Sequence, residues 1–227
     1  MAETVSRNIT ENIVLKEYED GFLLGTDAVL LSRFVRGSRK KICADLGTGS
    51  GIIPLLLFSE NKIKAATGFE VQPRYAELAN ENSRENGFGD VFKTYNADIR
   101  DIKSVGNGEL FGRYDIVTAN PPFFKVGTGD QNESEYKRIS RHELHGDIND
   151  FCAAASYLLK YGGSFYAVYR PERTATLLYA MKKVGLEPKR LNIINSNGKA
   201  TTVLVEAIKG GAEVIQINIV PTQPVHT

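Results

Sequence analysis

Ile42-Cys43-Ala44-Asp45-Leu46-Gly47-Thr48-Gly49-Ser50-Gly51-Ile52 decides the fold of this chain. A short apolar run closing on an acid gives way to alternating glycines, and the glycines lead straight into the apolar stretch Ile52 to Phe58. That order reads as strand, tight turn and helix. Gly47 and Gly49 permit a tight turn and close approach of a ligand to the backbone, and the helix behind them offers N–H groups that its own ladder leaves unused.

The same grammar extends outward. Strands are expected at about 42–46, 65–70, 90–95, 114–119 and 163–169, separated by helices at about 51–60, 73–86, 147–160 and 171–184. Such alternation builds a mostly parallel sheet with helices on both faces. Two further runs, 189–195 and 201–208, flank Asn195-Ser196-Asn197-Gly198 and read as an antiparallel hairpin. Glu213 to Val220 is a third run able to extend an edge before the Pro-rich tail Pro221 to Thr227. Upstream, after a frayed start, Ile13-Val14-Leu15 and Phe22-Leu23-Leu24 flank an acidic turn and predict a short hairpin, with Thr26 or Asp27 capping a helix from Ala28 to Val35.

Composition sets the bounds. A chain of 227 residues suits one α/β domain, and 28 Lys plus Arg against 27 Asp plus Glu leaves the question of a nucleic-acid partner to local clustering. Cys43 and Cys152 lack both disulfide and metal spacing, so they read as buried thiols in a reducing compartment. The longest apolar stretch, Ile52 to Phe58, is far too short to span a bilayer. The expectation is a soluble, cytoplasmic protein without a metal and without membrane partners.

The glycine turn also carries chemistry. Its spacing is Gly-x-Gly-x-Gly with Ile at 52, whereas dinucleotide sites place a third glycine one residue later. Asp45 would repel a pyrophosphate and welcome a cationic amino acid, which favours S-adenosylmethionine over NAD. Glu70 ends the second strand, where an acid can accept from both ribose hydroxyls. Asp98 closes the third strand, placed to accept from an adenine amino group while Ile99 covers the ring. Each acid alone reads more readily as a helix cap or solvated loop end; their coincidence beside the glycine turn makes the set.

A second site element is Asn120-Pro121-Pro122-Phe123, which ends the run Tyr114 to Ala119. Each proline removes a backbone donor and fixes φ, so the carbonyls of Asn120 and Pro121 are not consumed by a continuing ladder. With the Asn120 side-chain oxygen they form acceptors suited to a planar amino group, and Phe123 offers a ring on which the bearer of that group stacks. The bland alternative is a proline-terminated strand with a core Phe.

With these residues together, the chain resembles the class I S-adenosylmethionine-dependent methyltransferases, in the amino-methylating group marked by Asn-Pro-Pro followed by an aromatic residue. Gly25-Thr26-Asp27-Ala28-Val29-Leu30-Leu31, Asp45 to Gly51, Asn120 to Phe124 and Arg141-His142-Glu143 further resemble the bacterial tRNA(Val) adenine-N6 methyltransferases. Relatives that methylate rRNA bases or glutamine side chains share the Asn-Pro-Pro core. The resemblance implies a Rossmann-like seven-stranded methyltransferase sheet, mostly parallel with a C-terminal antiparallel hairpin. It covers residues 20 to 208 of a single domain, divided into an N-terminal hairpin and helix (1–36), a core (41–208) and a C-terminal extension (209–227).

Residue by residue, the resemblance implies that Asp45, Gly47 and Gly49 hold the methionine portion, Glu70 the ribose, and Asp98 with Ile99 the adenine, with Thr26 and Val71 also binding the cofactor. Asn120 touches cofactor and target. Thr26 and Asp27 lie near the sulfonium end or simply cap their helix. Asn120, Pro121 and Phe123 form the catalytic set, with Phe124 and Arg141 on the substrate; His142 and His145 read as loop contacts or solvated side chains. RNA, and within it tRNA, is the expected partner. Two basic clusters are available for its phosphates: Arg33, Arg36, Arg39, Lys40 and Lys41, and the window from Arg170 to Arg190. Either alone also reads as a solvated helix face.

Overall fold

The computed structural model describes residues 3–21, 25–121 and 146–222. In chain order the elements are β1 (Thr4–Thr10), β2 (Ile13–Tyr18), α1 (Thr26–Phe34), β3 (Ile42–Leu46), α2 (Ile52–Ser59), β4 (Ala65–Glu70), α3 (Pro73–Glu85), β5 (Phe92–Asn96), β6 (Tyr114–Ala119), α4 (Ile148–Leu158), β7 (Leu159–Tyr169), α5 (Thr174–Lys183), β8 (Leu186–Ser196), β9 (Lys199–Lys209) and β10 (Gln216–Pro221). The large sheet runs β10-β8-β9-β7-β6-β3-β4-β5. β3 through β7 pair in parallel, β9 is antiparallel to both β7 and β8, and β10 returns parallel to β8. The seven expected strands are therefore present, and the run after Glu213 adds an eighth at the edge.

Local chemistry explains the elements. Every residue of α2 from Ile52 to Phe58 is buried, as an all-apolar helix must be. It starts from Gly51, whose φ of +85° suits glycine and where an added Cβ would stand 3.0 Å from the Phe92 ring. α3 opens on Pro73, whose missing N–H is an orphan at that position anyway. α4 is fixed by a capping box: Asp147 accepts from the backbone of Asn149 and Asp150, and Asp150 accepts from the backbone of Asp147. In the β8–β9 hairpin, Asn197 and Gly198 both have positive φ, as the Asn-Gly turn predicts.

Two apolar cores clothe the sheet. One gathers Phe151, Ala155 and Leu158 of α4 with Leu177 and Met181 of α5, and the other gathers Leu31 and Phe34 of α1 with Leu55 and Leu57 of α2. Leu57 is fully buried, so truncating it to alanine costs about 2–5 kcal/mol. Both cysteines are buried as expected, and burial pushes the Cys152 thiol up to about 12.

The N-terminus departs from its expectation. The segment read as frayed forms β1, which pairs antiparallel with β2 across Glu11 and Asn12. Ile13 and Leu15 sit in β2 as expected, but their partner strand precedes them; residues 22–24, the expected second arm, lie outside the described residues. α1 also begins earlier than predicted, with Gly25 at its N-cap and no side-chain cap bond, so neither Thr26 nor Asp27 caps it.

β2 docks on α3 through an unusual edge. Asn82 accepts from the Lys16 N–H (2.9 Å) and donates to the Lys16 carbonyl (3.0 Å). One turn on, Asn86 repeats the pattern with the Val14 N–H (2.9 Å) and carbonyl (2.7 Å). Two amide side chains four residues apart, one in α3 and one at its C-cap, thus stand in for a neighbouring strand. Asn82 Nδ2 also donates to the Ser50 carbonyl in the glycine turn (2.9 Å).

Candidate active site

The parallel strands bring the carboxyl ends of β3, β4, β5 and β6 to one edge, since Leu46 pairs with Phe69 and Ala119, and Glu70 pairs with Asn96. Chain order reverses between β3 and β6, which opens a crevice there. Asp45, Gly47, Gly49, Glu70, Val71, Asp98, Ile99, Asn120 and Pro121 all lie at this edge.

The glycine turn is pinned from below. Gly47 and Thr48 both donate their N–H groups to the Phe69 carbonyl (2.8 and 3.1 Å). Gly47 and Gly49 hold φ of +66° and +55°, and a Cβ added at Gly49 would meet no atom within 4 Å, so the turn leaves open space above it. Gly68 is needed for a different reason: a Cβ there would stand 2.8 Å from Thr48 and 2.6 Å from Thr94.

Glu70 ties the turn to β4. One carboxylate oxygen accepts from the Gly49 N–H and the other from the Gln72 N–H, both at 2.9 Å. Burial raises its pKa while the N–H groups of Gln72, Gly49 and Val71 draw it back. A carboxylate has about four acceptor sites, so capacity remains for a ribose hydroxyl. Asn96 holds the chain beyond Glu70 by donating to the Glu70 and Val71 carbonyls (both 2.9 Å).

Asp45 points into the turn as expected, but both oxygens are already engaged. The Thr48 hydroxyl donates to one (2.7 Å) and the Thr118 hydroxyl to the other (2.6 Å). The side chain is fully buried, and burial pushes its pKa up to about 7 against the pull of those hydroxyls. Its influence on a bound cation is therefore one of field and of turn geometry.

Asp98 has a local commitment: it caps the short 3₁₀ turn Ile99–Asp101 and forms an ion pair with Arg100. Ile99 is buried against Gly146, where a Cβ would lie 3.1 Å from its Cδ1. Asp27 accepts from the Thr202 hydroxyl (3.1 Å), which fastens the start of α1 to β9. At the end of β6, Asn120 Oδ1 is buried and has no hydrogen-bond partner among the described residues. Pro122, Phe123, Phe124, Arg141, His142 and His145 lie outside the described residues.

The basic clusters separate. Arg39, Lys40 and Lys41 precede β3 and are exposed at its amino end, the edge opposite the crevice. β3 alone puts roughly 15 Å between them and the glycine turn. The structure does not bring them to the pocket. In the second cluster, Arg190 pairs with Glu206 (2.8 Å) and stacks over Phe34, Lys182 pairs with Glu187 and Glu213, and Lys189 donates to the Ala212 carbonyl. Arg170 and Arg173 follow β7 at the crevice edge, with Arg173 over the Tyr169 ring. Thr118, Gln72 and Asn82 were missed by sequence reasoning; Thr118 is found only through its register opposite Asp45.

The donor set fits S-adenosylmethionine: an acid with a spare acceptor site beside an open glycine turn, and an orphaned acceptor across the crevice. Comparisons agree. The model of the methyltransferase small domain matches residues 23–184. The chain is 25% identical over 210 residues to a tRNA1(Val) (adenine(37)-N6)-methyltransferase of Flavobacteriaceae bacterium (strain 3519-10), covering 86% of each chain. It is 32% identical over 165 residues to one named likewise from Porphyromonas gingivalis, covering 69% of this chain and 62% of that one. The fold superposes with a TM-score of 0.59 on geranyl diphosphate C-methyltransferase from Streptomyces coelicolor, crystallised with S-adenosyl-L-homocysteine, at 14% identity over 81% of this chain and 80% of that one. No described helix is long and apolar enough to cross a membrane. The chain belongs to the methyltransferase small-domain family, as an S-adenosylmethionine-dependent enzyme.

Proposed function

We propose that this enzyme methylates the exocyclic N6 amino group of adenine in tRNA, near the anticodon. The observation that carries the reading is Asn120 Oδ1, a buried acceptor without a partner among the described residues, at the carboxyl end of β6 beside the cofactor edge. An acceptor left unpaired at a cost of about 1–3 kcal/mol is suited to a donor that arrives with the substrate. Two relatives named for adenine-N6 methylation of tRNA support the choice of base and RNA.

In this reading the adenine leaves its stack and places its amino group between the Asn120 side-chain oxygen and the Pro121 carbonyl. S-adenosylmethionine supplies an electrophilic methyl group. The two acceptors orient the nitrogen lone pair and stabilise the positive charge that develops on nitrogen, and Phe123 supports the ring. Glu70 accepts from a ribose hydroxyl, the glycine turn admits the methionine portion, and Asp98 with Ile99 bounds the adenine of the cofactor. No strong general base is required, because the methylated ammonium is acidic enough to release its proton to water. Arg170 and Arg173 flank the crevice and are the cations of the second cluster placed to meet substrate phosphates there.

The test is mass spectrometry of nucleosides from total tRNA incubated with enzyme and labelled cofactor. Labelled N6-methyladenosine is expected. Label appearing only in a glutamine-bearing protein, or in another base, would overturn the substrate assignment.

A further inference from the structure

The starts of four adjacent strands lie side by side at the edge opposite the crevice, because Ile42 pairs with Ala65, Cys43 with Ile116 and Tyr114 with Leu159. This edge is densely basic in a chain whose net charge is only +1. Some of its cations have structural duties: Lys62 donates to the Ser32 and Arg33 carbonyls at the end of α1, and Lys209 donates to the Ser156 and Leu159 carbonyls at the end of α4. Lys41 and Lys160 share Asp115. Arg39, Lys40, Lys64 and Arg113 are exposed, and their side chains form no ion pair or hydrogen bond among the described residues. Helix-end compensation therefore does not account for them.

Two aromatic rings are interleaved with these cations. Tyr161, next to Lys160, is 82% exposed, and Phe111, two residues before Arg113, is 64% exposed. Tyr161 is built as a platform. Its hydroxyl donates to the Gly210 carbonyl, and its ring lies so close over Gly210 that a Cβ there would come within 2.1 Å of it. The Cε2–Cζ edge of the ring and its hydroxyl lie against Gly210, and most of the ring surface is exposed. Phe111 packs at a tilt of 57° against Tyr157, with ring centroids 5.3 Å apart, and the Lys209 ammonium stands 5.3 Å from its ring centroid. Along the order β4-β3-β6-β7 the surface reads Lys64, then Arg39 to Lys41, then Phe111 and Arg113, then Lys160 and Tyr161, over about 15 Å at the usual strand spacing.

We propose that this edge is a second RNA-docking surface, which grips an unpaired stretch of the substrate RNA remote from the methylated base. Tyr161 and Phe111 stack bases; Arg39, Lys40, Lys64 and Arg113 contact phosphates. Interleaved cations and backed aromatic rings are the combination that single-stranded nucleic acid recognises without regard to sequence. The proposal rests on the RNA reading above and adds a remote site that the methyl-transfer chemistry does not require.

The test measures binding of a fluorescein-labelled uridine octamer, which contains no adenine, to the full chain, together with steady-state methylation of total tRNA. The octamer should bind without displacing the cofactor product. Tyr161→Ala with Phe111→Ala should weaken it by about thirtyfold or more. Neutralising Arg39, Lys40, Lys64 and Arg113 should lower the slope of log affinity against log salt by about 3, since each phosphate contact on single strands is worth about 0.7. Both variants should raise KM for tRNA while kcat at saturation is retained. Equal losses on neutralising exposed Lys93, Lys103 and Lys183 instead, octamer affinity unchanged in all variants, or a parent dimer dissolved by the aromatic substitutions would overturn this surface alone. A parent enzyme that methylates no RNA would remove the RNA reading itself, and this surface with it.

Discussion

Replacing Asn120 by alanine should move stability and activity in opposite directions. The Oδ1 atom is buried without a partner among the described residues, and such an acceptor costs about 1–3 kcal/mol of folding free energy. Truncation removes that cost, and it also gives up packing from a half-buried side chain, about 1 kcal/mol. The balance is a fold more stable by about 1 kcal/mol, a rise of roughly 2–4 °C in Tm for a chain of this size. Turnover should fall by about two to three orders of magnitude, as it does when one preset group facing developing charge is lost. Urea unfolding followed by circular dichroism reads the first quantity, and transfer of labelled methyl to tRNA at saturating cofactor reads the second. A variant destabilised by more than 1 kcal/mol, or one with near-parental turnover, would refute the assignment of Asn120 as an acceptor held for the substrate.

Three further outcomes are expected. Glu70→Ala should weaken cofactor binding in calorimetry by about 1–3 kcal/mol, because a ribose hydroxyl loses its buried carboxylate acceptor; unchanged affinity would reject the ribose assignment. Burial raises Asp45 to about 7, above its unfolded value near 4, so the folded state holds a proton that the unfolded state releases; the stability this contributes is full below pH 4 and is lost as pH rises through 7. Asp45→Asn should flatten that decline between pH 5 and 8 in urea melts, and an unchanged pH profile would place the titration elsewhere. Asn82→Ala leaves the Lys16 N–H, the Lys16 carbonyl and the Ser50 carbonyl without their partner, so it should destabilise the fold by about 2–4 kcal/mol and weaken cofactor binding as well; a stability loss with cofactor affinity intact would show that the hairpin does not steady the glycine turn.

Short-range grammar made most of the fold legible. β3 with its glycine turn, β4, β6 and the Asn-Gly hairpin fall where their residues predict, because each depends on neighbours a few positions away. β1 was invisible for a physical reason: Thr4 to Thr10 fully buries no residue, packs only Ile9 against the core, and is held mainly by backbone pairing to β2. The bonds from Thr118 to Asp45 and from Asn82 to Ser50 join residues 73 and 32 positions apart, and no local pattern records them. The misplaced basic cluster did carry a signal. In a parallel sheet, segments that precede strands gather at the amino edge, and Arg39 to Lys41 immediately precede β3.

The amide side chains at the end of α3 also bear on how the chain is made. β1 and β2 can pair as soon as they leave the ribosome, yet the backbone edge of β2 meets Asn82 and Asn86 only 66 and 72 residues later. At about 5–20 residues per second the nascent hairpin spends roughly 3–14 s with that edge bare. A bare edge invites pairing with another chain, and the hairpin's exposed surface, with Arg7 and Glu11 beside the turn, gives it charge during the wait. The chain is thus most open to pairing with another copy while α3 has still to follow β2.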